Sequence, residues 1–203
     1  ICLNPIDATQ EQIVETAGQP LPQTEVSIRS PENSQVIPIG EVGEICARSY
    51  GVMIGYNDNP KATRAAIDGD GWLHTGDLGT MDAQGFIRVT GRVKDMIIRG
   101  GENLFPAEIE AVLVEHPQIA QVSIVGLPDE KWGEIIAAFI LSETALEIDV
   151  LKAYCRKHLS PQKTPTTWVQ VSEFPLTGSG KIQKFTIRDK FLAGGYGEVL
   201  DGS

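Results

Sequence analysis

Short runs of branched and alternating apolar residues, broken by proline and glycine, occupy roughly the first ninety positions, and this pattern predicts strands joined by turns. Residues 24–29 and 42–47 carry the clearest runs, with Pro20, Pro22, Pro31, Pro38, Gly40 and Gly43 as punctuation. Phe86-Ile87-Arg88-Val89 follows a turn at Asp82-Ala83-Gln84-Gly85, which predicts a hairpin. This half reads as a small, open barrel or sheet, incomplete by itself. Beyond Arg92 the periodicity changes. Residues 106–115 read as a helix: Pro106 suits the first turn, Glu108 and Glu110 favour the positive end, and Ile109, Val112 and Leu113 share a stripe. The apolar runs 122–125 and 135–141 fit buried strands better than helices, although periodicity alone does not separate the two. Asp149 is expected to cap a second helix, on which Leu151, Tyr154, Cys155 and His158 recur at helical spacing. A strand over 168–171 and a short helix over 183–192 follow, and the tail from 194 to 203 is expected to fray. The expected fold class is α+β. A β-rich, distorted-barrel subdomain over 1–92 precedes a small α+β domain over 93–203, in which helices flank a short central sheet, with the boundary near 92–95.

Composition narrows the function classes. With 203 residues, 41% hydrophobic and 22% charged, the chain suits one large or two small packed domains rather than a disordered one. Its longest apolar run, 135–141, is far too short to span a bilayer, and no signal peptide is visible at the start. The first residue is not Met, so a processed product or an excerpt of a longer protein is expected. Cys2, Cys46 and Cys155 are scattered without metal spacing and read as reduced side chains of a cytoplasmic protein. A net charge of −10 argues against a general nucleic-acid surface. Polyanion binding would need cations gathered locally, from Arg92, Lys94, Arg99, Lys163, Lys181, Lys184 and Arg188.

The segment Pro175-Leu176-Thr177-Gly178-Ser179-Gly180-Lys181-Ile182-Gln183-Lys184 sets a lysine at the tip of a glycine-bearing loop. Glycine permits positive φ and close approach, and proline stiffens the way in, so the lysine reads as delivered to another surface. A solvated turn is the alternative. The phosphate-loop motif fails, because Pro175 and Ile182 stand where it needs glycine and a hydroxyl residue. Three further motifs precede this loop: Trp72-Leu73-His74-Thr75-Gly76-Asp77, Gly91-Arg92-Val93-Lys94-Asp95, and Arg99-Gly100-Gly101-Glu102-Asn103-Leu104-Phe105-Pro106.

In this order the motifs resemble those of the adenylate-forming superfamily: acyl-CoA ligases, luciferases and the adenylation domains of peptide synthetases. The resemblance runs from about Gly40 to Phe191, and Asp95 to Asn103 with Gly180 to Phe185 look most like fatty-acid and medium-chain acid CoA ligases. It implies an AMP-forming acid–thiol ligase that uses ATP and CoA, converting a carboxylic acid to an acyl-adenylate and then to a thioester. It further implies that Asp77 and Arg92 hold the ATP ribose with Val89 packed nearby, that Lys181 is catalytic at the bridging oxygen, and that Lys94 is a hinge. Gly100 and Gly101 would line the pantetheine tunnel, with Glu102, Trp132 and Lys163 as further CoA-binding residues. Thr164 and Thr166 stand where some relatives carry cations, leaving Lys163 as the local candidate. No metal ligand is expected in the chain; Mg²⁺ would be bound by the N-terminal part of such a ligase, whose phosphate loop and aromatic-Gly-x-Thr-Glu motif are not found here. Residues 1–92 would then end the large domain and 93–203 would form the mobile lid. The fragment alone is expected to be inactive, any homodimer to form through the large domain, and the fatty acid's chain length to be set elsewhere. Two alternatives stay open: adenylation for delivery to a carrier protein, and a non-catalytic nucleotide- or partner-binding remnant. His74, His116 and His158 read as structural.

Overall fold

The computed structural model describes residues 1–196 and 199–200, which fall into two compact units, Ile1–Lys94 and Asp95–Ser203. In the first unit, β1 (Cys2–Leu3), α1 (Gln10–Glu15) and β2 (Gln19–Pro20) precede four longer pieces of sheet. These are β3 (Glu25–Arg29), β4 (Gly43–Arg48), β5 (Leu73–Met81) and β6 (Ile87–Arg92), with α2 (Pro60–Ala66) between β4 and β5. The four strands pair antiparallel in chain order. The predicted hairpin is the β5–β6 turn, where Asp82 Oδ1 accepts the N–H groups of Gln84 and Phe86. The sheet is open among the described residues and closes no barrel, since four strands are too few to wrap around a filled interior. Its core is thin: Ile28, Ile45 and Ile87 are buried together, while Ile6, Tyr50 and Ile54 lie fully or largely exposed.

Both helices of this unit lie where a run of strands was expected, and both have local causes. Thr9 and Gln12 form a reciprocal capping box at the start of α1. Asn59 caps α2, whose first residue is Pro60.

The second unit contains β7 (Ile97–Arg99), β8 (Glu102–Leu104), α3 (Pro106–Val114), β9 (Gln121–Asp129), β10 (Gly133–Leu141), α4 (Ile148–His158), β11 (Thr167–Val171), α5 (Lys184–Leu192) and β12 (Val199–Leu200). β10 pairs antiparallel with β9 along its length and parallel with β11, the crossover running through α4. Alternate residues of β10 enter opposite cores. Ile136, Ala138 and Ile140 pack with Ile109 and Leu113 of α3 and Leu151 and Cys155 of α4, whereas Ala137 and Phe139 pack with Ile187 of α5. A strand buried on both faces shows no polar alternation, which is why 135–141 reads as one apolar run.

Two expectations need correction here. Asp149 does not cap α4: Glu147 occupies that position without a side-chain bond, and Asp149 sits in the first turn, where its charge still favours the helix dipole. Nor is the tail wholly frayed. Val199 and Leu200 pair with Val169 and Trp168, and Tyr196 packs on Phe139, because β11 would otherwise expose an apolar edge; residues 197–198 and 201–203 of that expectation lie outside the described residues.

Candidate functional site

In the first unit the register of β5 and β6 sets Asp77 opposite Arg92, and Arg92 Nε lies 3.1 Å from Asp77 Oδ1. Both side chains are substantially exposed, so the pair costs little to open toward a ligand that replaces one partner. Val89 is exposed on β6, on the same strand as Arg92. The turn that delivers Asp77 is built from beneath. Thr75 Oγ1 donates to the Ile45 carbonyl and accepts the Asp77 N–H, while the Gly76 N–H donates to Glu44 Oε1 at 3.0 Å. Glu44 Oε2 lies 2.7 Å from His74 Nδ1, and His74 Nε2 lies 3.6 Å from Asp68 Oδ2. Burial opposes the charge on Asp68, but N–H donors from Trp72 and Asp70 and the nearby His74 and Arg29 outweigh it and hold its carboxyl below the ordinary range.

Glu44 and Asp68 carry this support, and sequence reasoning passed over both as site-shaping residues. Glu44, Cys46 and His74 bring ligand atoms within 4.8 Å of one another, a set of donors that could hold a metal ion. The arrangement is already satisfied: each oxygen of Glu44 has its own partner. Burial, reinforced by the charge of Glu44, pushes the Cys46 thiol up to about 12. Burial also pushes Cys155 up to about 11. Iodoacetamide at neutral pH is therefore expected to leave Cys46 and Cys155 unmodified in the folded protein, as peptide mass spectrometry would report. Labelling of either at the rate of a free thiol would show that its core opens.

In the second unit Lys181 stands at the tip of a braced loop. Leu176 and Ile182 form an isolated bridge, the Thr177 N–H donates to the Lys181 carbonyl at 2.8 Å, and Thr177 Oγ1 accepts the Lys181 N–H at 3.0 Å. Gln183 closes the base, its N–H donating to the Pro175 carbonyl and its Nε2 to that of Leu176. Gly180 takes φ +82°, which a side chain would strain. The Lys181 side chain is exposed and, among the described residues, makes no ion pair. Its cationic neighbours are committed: Lys184 pairs with Glu110 at 2.6 Å and Arg188 with Glu134 at 3.1 Å.

Gly100 and Gly101 form the turn between β7 and β8, at φ +60° and +85°. The Gly100 N–H donates to the Trp132 carbonyl, and a Cβ on Gly100 would sit 3.0 Å from the Trp132 ring. Trp132 is itself half-exposed, with Arg99 Cζ 5.5 Å and Lys131 Nζ 4.9 Å from its ring centre. Arg99 also donates to the Gln162 carbonyl, beside Lys163. Thus Gly100, Gly101 and Trp132 meet at one hairpin, Lys163 follows the Gln162 that Arg99 binds, and Glu102, opposite Arg99 in the register, is exposed. Lys163 is held by both oxygens of Glu108, at 2.5 and 2.7 Å, so Arg99 and Lys131 are the cations nearer the ring. Arg99 is already among the candidate cations of the sequence; Lys131 joins it only in the folded hairpin. Lys94 lies in a 3₁₀ turn, Val93–Asp95, at the junction of the two units, exposed and without an ion pair among the described residues. His116 meets the Tyr154 ring edge-on and His158 lies tilted against it, with ring centres 5.0 and 4.7 Å apart.

Two family models match the chain: "AMP-binding enzyme" over residues 1–57 and "AMP-binding enzyme C-terminal domain" over residues 108–181. A putative acyl-CoA synthetase, YngI of Bacillus subtilis, is 49% identical over 181 residues, covering 88% of this chain and 33% of the relative. The human mitochondrial medium-chain acyl-CoA ligase ACSF2 is 44% identical over 184 residues, covering 90% of this chain and 30% of the relative. The chain thus spans about a third of the length of these curated relatives. Among solved structures, ATP-bound MatB from Rhodopseudomonas palustris superposes with a TM-score of 0.85 at 29% identity, covering 95% of this chain and 38% of that one. The o-succinylbenzoate CoA synthetase MenE of Bacillus subtilis, with its acyl-adenylate intermediate, gives 0.78 at 35% identity, covering 87% and 36%.

Proposed function

Because the chain belongs to the adenylate-forming superfamily, we propose that it is the C-terminal section of an AMP-forming acyl-CoA ligase. The complete enzyme joins a carboxylic acid, of fatty or medium-chain type, to ATP and then passes the acyl group to the thiol of CoA. The observation that carries this reading is Lys181: an ammonium with no ion pair among the described residues, at the tip of a loop whose backbone is fixed by its own hydrogen bonds. With the backbone already ordered, only the rotamer freedom of the side chain is lost when this ammonium meets negative charge.

Each residue then has a task set by its chemistry. Asp77, a carboxylate with acceptor capacity for two hydroxyls, takes the ribose of ATP, and Arg92 turns from Asp77 to the other side of the sugar. Lys181 neutralises the charge that builds between the attacking carboxylate and the α-phosphate. In the second half-reaction Gly100 and Gly101 let pantetheine pass close to backbone. Trp132, flanked by Arg99 and Lys131, offers a stacking face with two cations for the CoA nucleotide, and Lys163 supplements them if it leaves Glu108.

Mg²⁺ requires oxygen ligands, and the Glu44–Cys46–His74 group mixes nitrogen and sulfur and is closed by its own bonds. The residues present do not fit that ion, whose place is in the part of the ligase beyond this chain. Support for a large domain continuing beyond the first unit comes from that unit's thin core and exposed Ile6, Tyr50 and Ile54. No described helix is long and apolar enough to cross a membrane. A cytoplasmic setting completes the proposal and suits three free thiols, although the ACSF2 relatives carry a mitochondrial name.

The test is acid-dependent ATP–pyrophosphate exchange by the complete protein with octanoate, followed by addition of CoA. Exchange and acyl-CoA are both expected from the complete protein, and neither from residues 1–203 alone. Exchange without CoA acylation would turn the reading toward carrier-protein delivery. Nucleotide binding without exchange would turn it toward a non-catalytic role.

A further inference from the structure

Glu134 joins the two parts of the second unit that the ligase reading assigns to different half-reactions. Its Oε2 accepts the Ile98 N–H of β7 at 2.9 Å, and its Oε1 accepts from Arg188 Nη1 of α5 at 3.1 Å. β7 leads directly into the Gly100–Gly101 turn, and α5 begins three residues after Lys181. The carboxylate lies in a slot made for it: a Cβ on Gly126 would approach Glu134 Oε1 and Cδ at 3.2 Å and Ile97 Cγ1 at 3.1 Å. Gly126 sits on β9, opposite Ile136 of β10 and two pairs along from Glu134. The Glu134 side chain is about one-fifth exposed, and its ion pair is correspondingly less screened than a free surface pair.

We propose that Glu134 is a positioning residue that locks the glycine hairpin and the lysine-loop helix into one rigid frame. Each oxygen orients one of them: Oε2 sets the hairpin for the thiol step, and Oε1, through Arg188, sets the loop that carries Lys181 for adenylation. The assignment rests on the ligase reading and extends it to a residue that touches neither substrate.

The two oxygens make the idea testable in the complete ligase by measuring the half-reactions separately, as pyrophosphate exchange and as thioester formation from supplied acyl-adenylate. Glu134→Ala is expected to slow both by roughly fivefold or more through loss of alignment. Glu134→Gln keeps a carbonyl oxygen for the Ile98 N–H but no charge for Arg188, so it should restore the thioester step and leave exchange slow. Arg188→Ala should slow exchange alone. In amide hydrogen exchange, Arg188→Ala should loosen 176–184 and not 97–104, a readout that stands even if Glu134→Ala fails to fold. A merely structural role would lower Tm and leave both half-reactions of the folded enzyme unsplit. Identical profiles for Glu134→Gln and Glu134→Ala, or equal slowing of both steps by Arg188→Ala, would overturn the assignment while the ligase reading stands. A complete wild-type protein that forms no acyl-adenylate would remove both.

Discussion

Lys181→Ala in the complete ligase is expected to lower acid-dependent ATP–pyrophosphate exchange by roughly a thousandfold, and to leave thioester formation from supplied acyl-adenylate within a fewfold. Opposite unit charges at ~4 Å attract by about 4 kcal/mol at an effective dielectric near 20. That energy reaches the rate only if the contact strengthens in the transition state, where charge accumulates on the bridging oxygen. The loop geometry favours this outcome. Its backbone is tied at Thr177 and Gln183, so alanine removes an ammonium without loosening the turn. Among the described residues no carboxylate competes for that ammonium, in contrast to Lys184 and Arg188 nearby. Equal loss of both half-reactions would remove Lys181 from its assigned role.

Lys94→Pro is expected to keep adenylation and to slow transfer to CoA on the order of a hundredfold, the scale set by ångström-level misplacement of reacting groups. Lys94 lies where Ile1–Lys94 gives way to Asp95–Ser203, in a short 3₁₀ turn with an exposed side chain. Two half-reactions that use different faces of one small domain need a backbone that can change φ and ψ at the junction. Proline fixes φ near −65° and holds the junction in one setting. Lys94→Ala separates the two contributions of the residue: it removes the charge but leaves the backbone free, so both steps should persist. Full turnover by the proline variant would end the hinge proposal.

Local chemistry makes several elements legible in the sequence. Pro106 at the start of α3, the branched runs of β9 and β10, and the Asp82 turn each owe their form to near neighbours in sequence. The signals for α1 and α2 were equally local, in Thr9 with Gln12 and in Asn59 with Pro60, but they sat within a strand-rich pattern that masked them. Glu147 before α4 was missed for the opposite reason, since it caps by position and offers no side-chain bond.

The order of glycine-bearing motifs, a property of the sequence alone, pointed to the adenylate-forming superfamily and singled out Asp77, Arg92 and Lys181 as candidates. Sequence also marked 122–125 and 135–141 as buried runs, because a continuous apolar run leaves no polar side for water. Tertiary structure decided how the charges are spent. Lys163, Lys184 and Arg188 look as available as Lys181 when read along the chain, yet each is bound to a glutamate brought close by folding. It likewise decided that Glu44 underpins the Asp77 turn and that Glu134 spans hairpin and helix, since those contacts join residues 32, 36 and 54 positions apart. Hydrogen bonds at such separations depend on sheet register and helix packing, which no local pattern encodes.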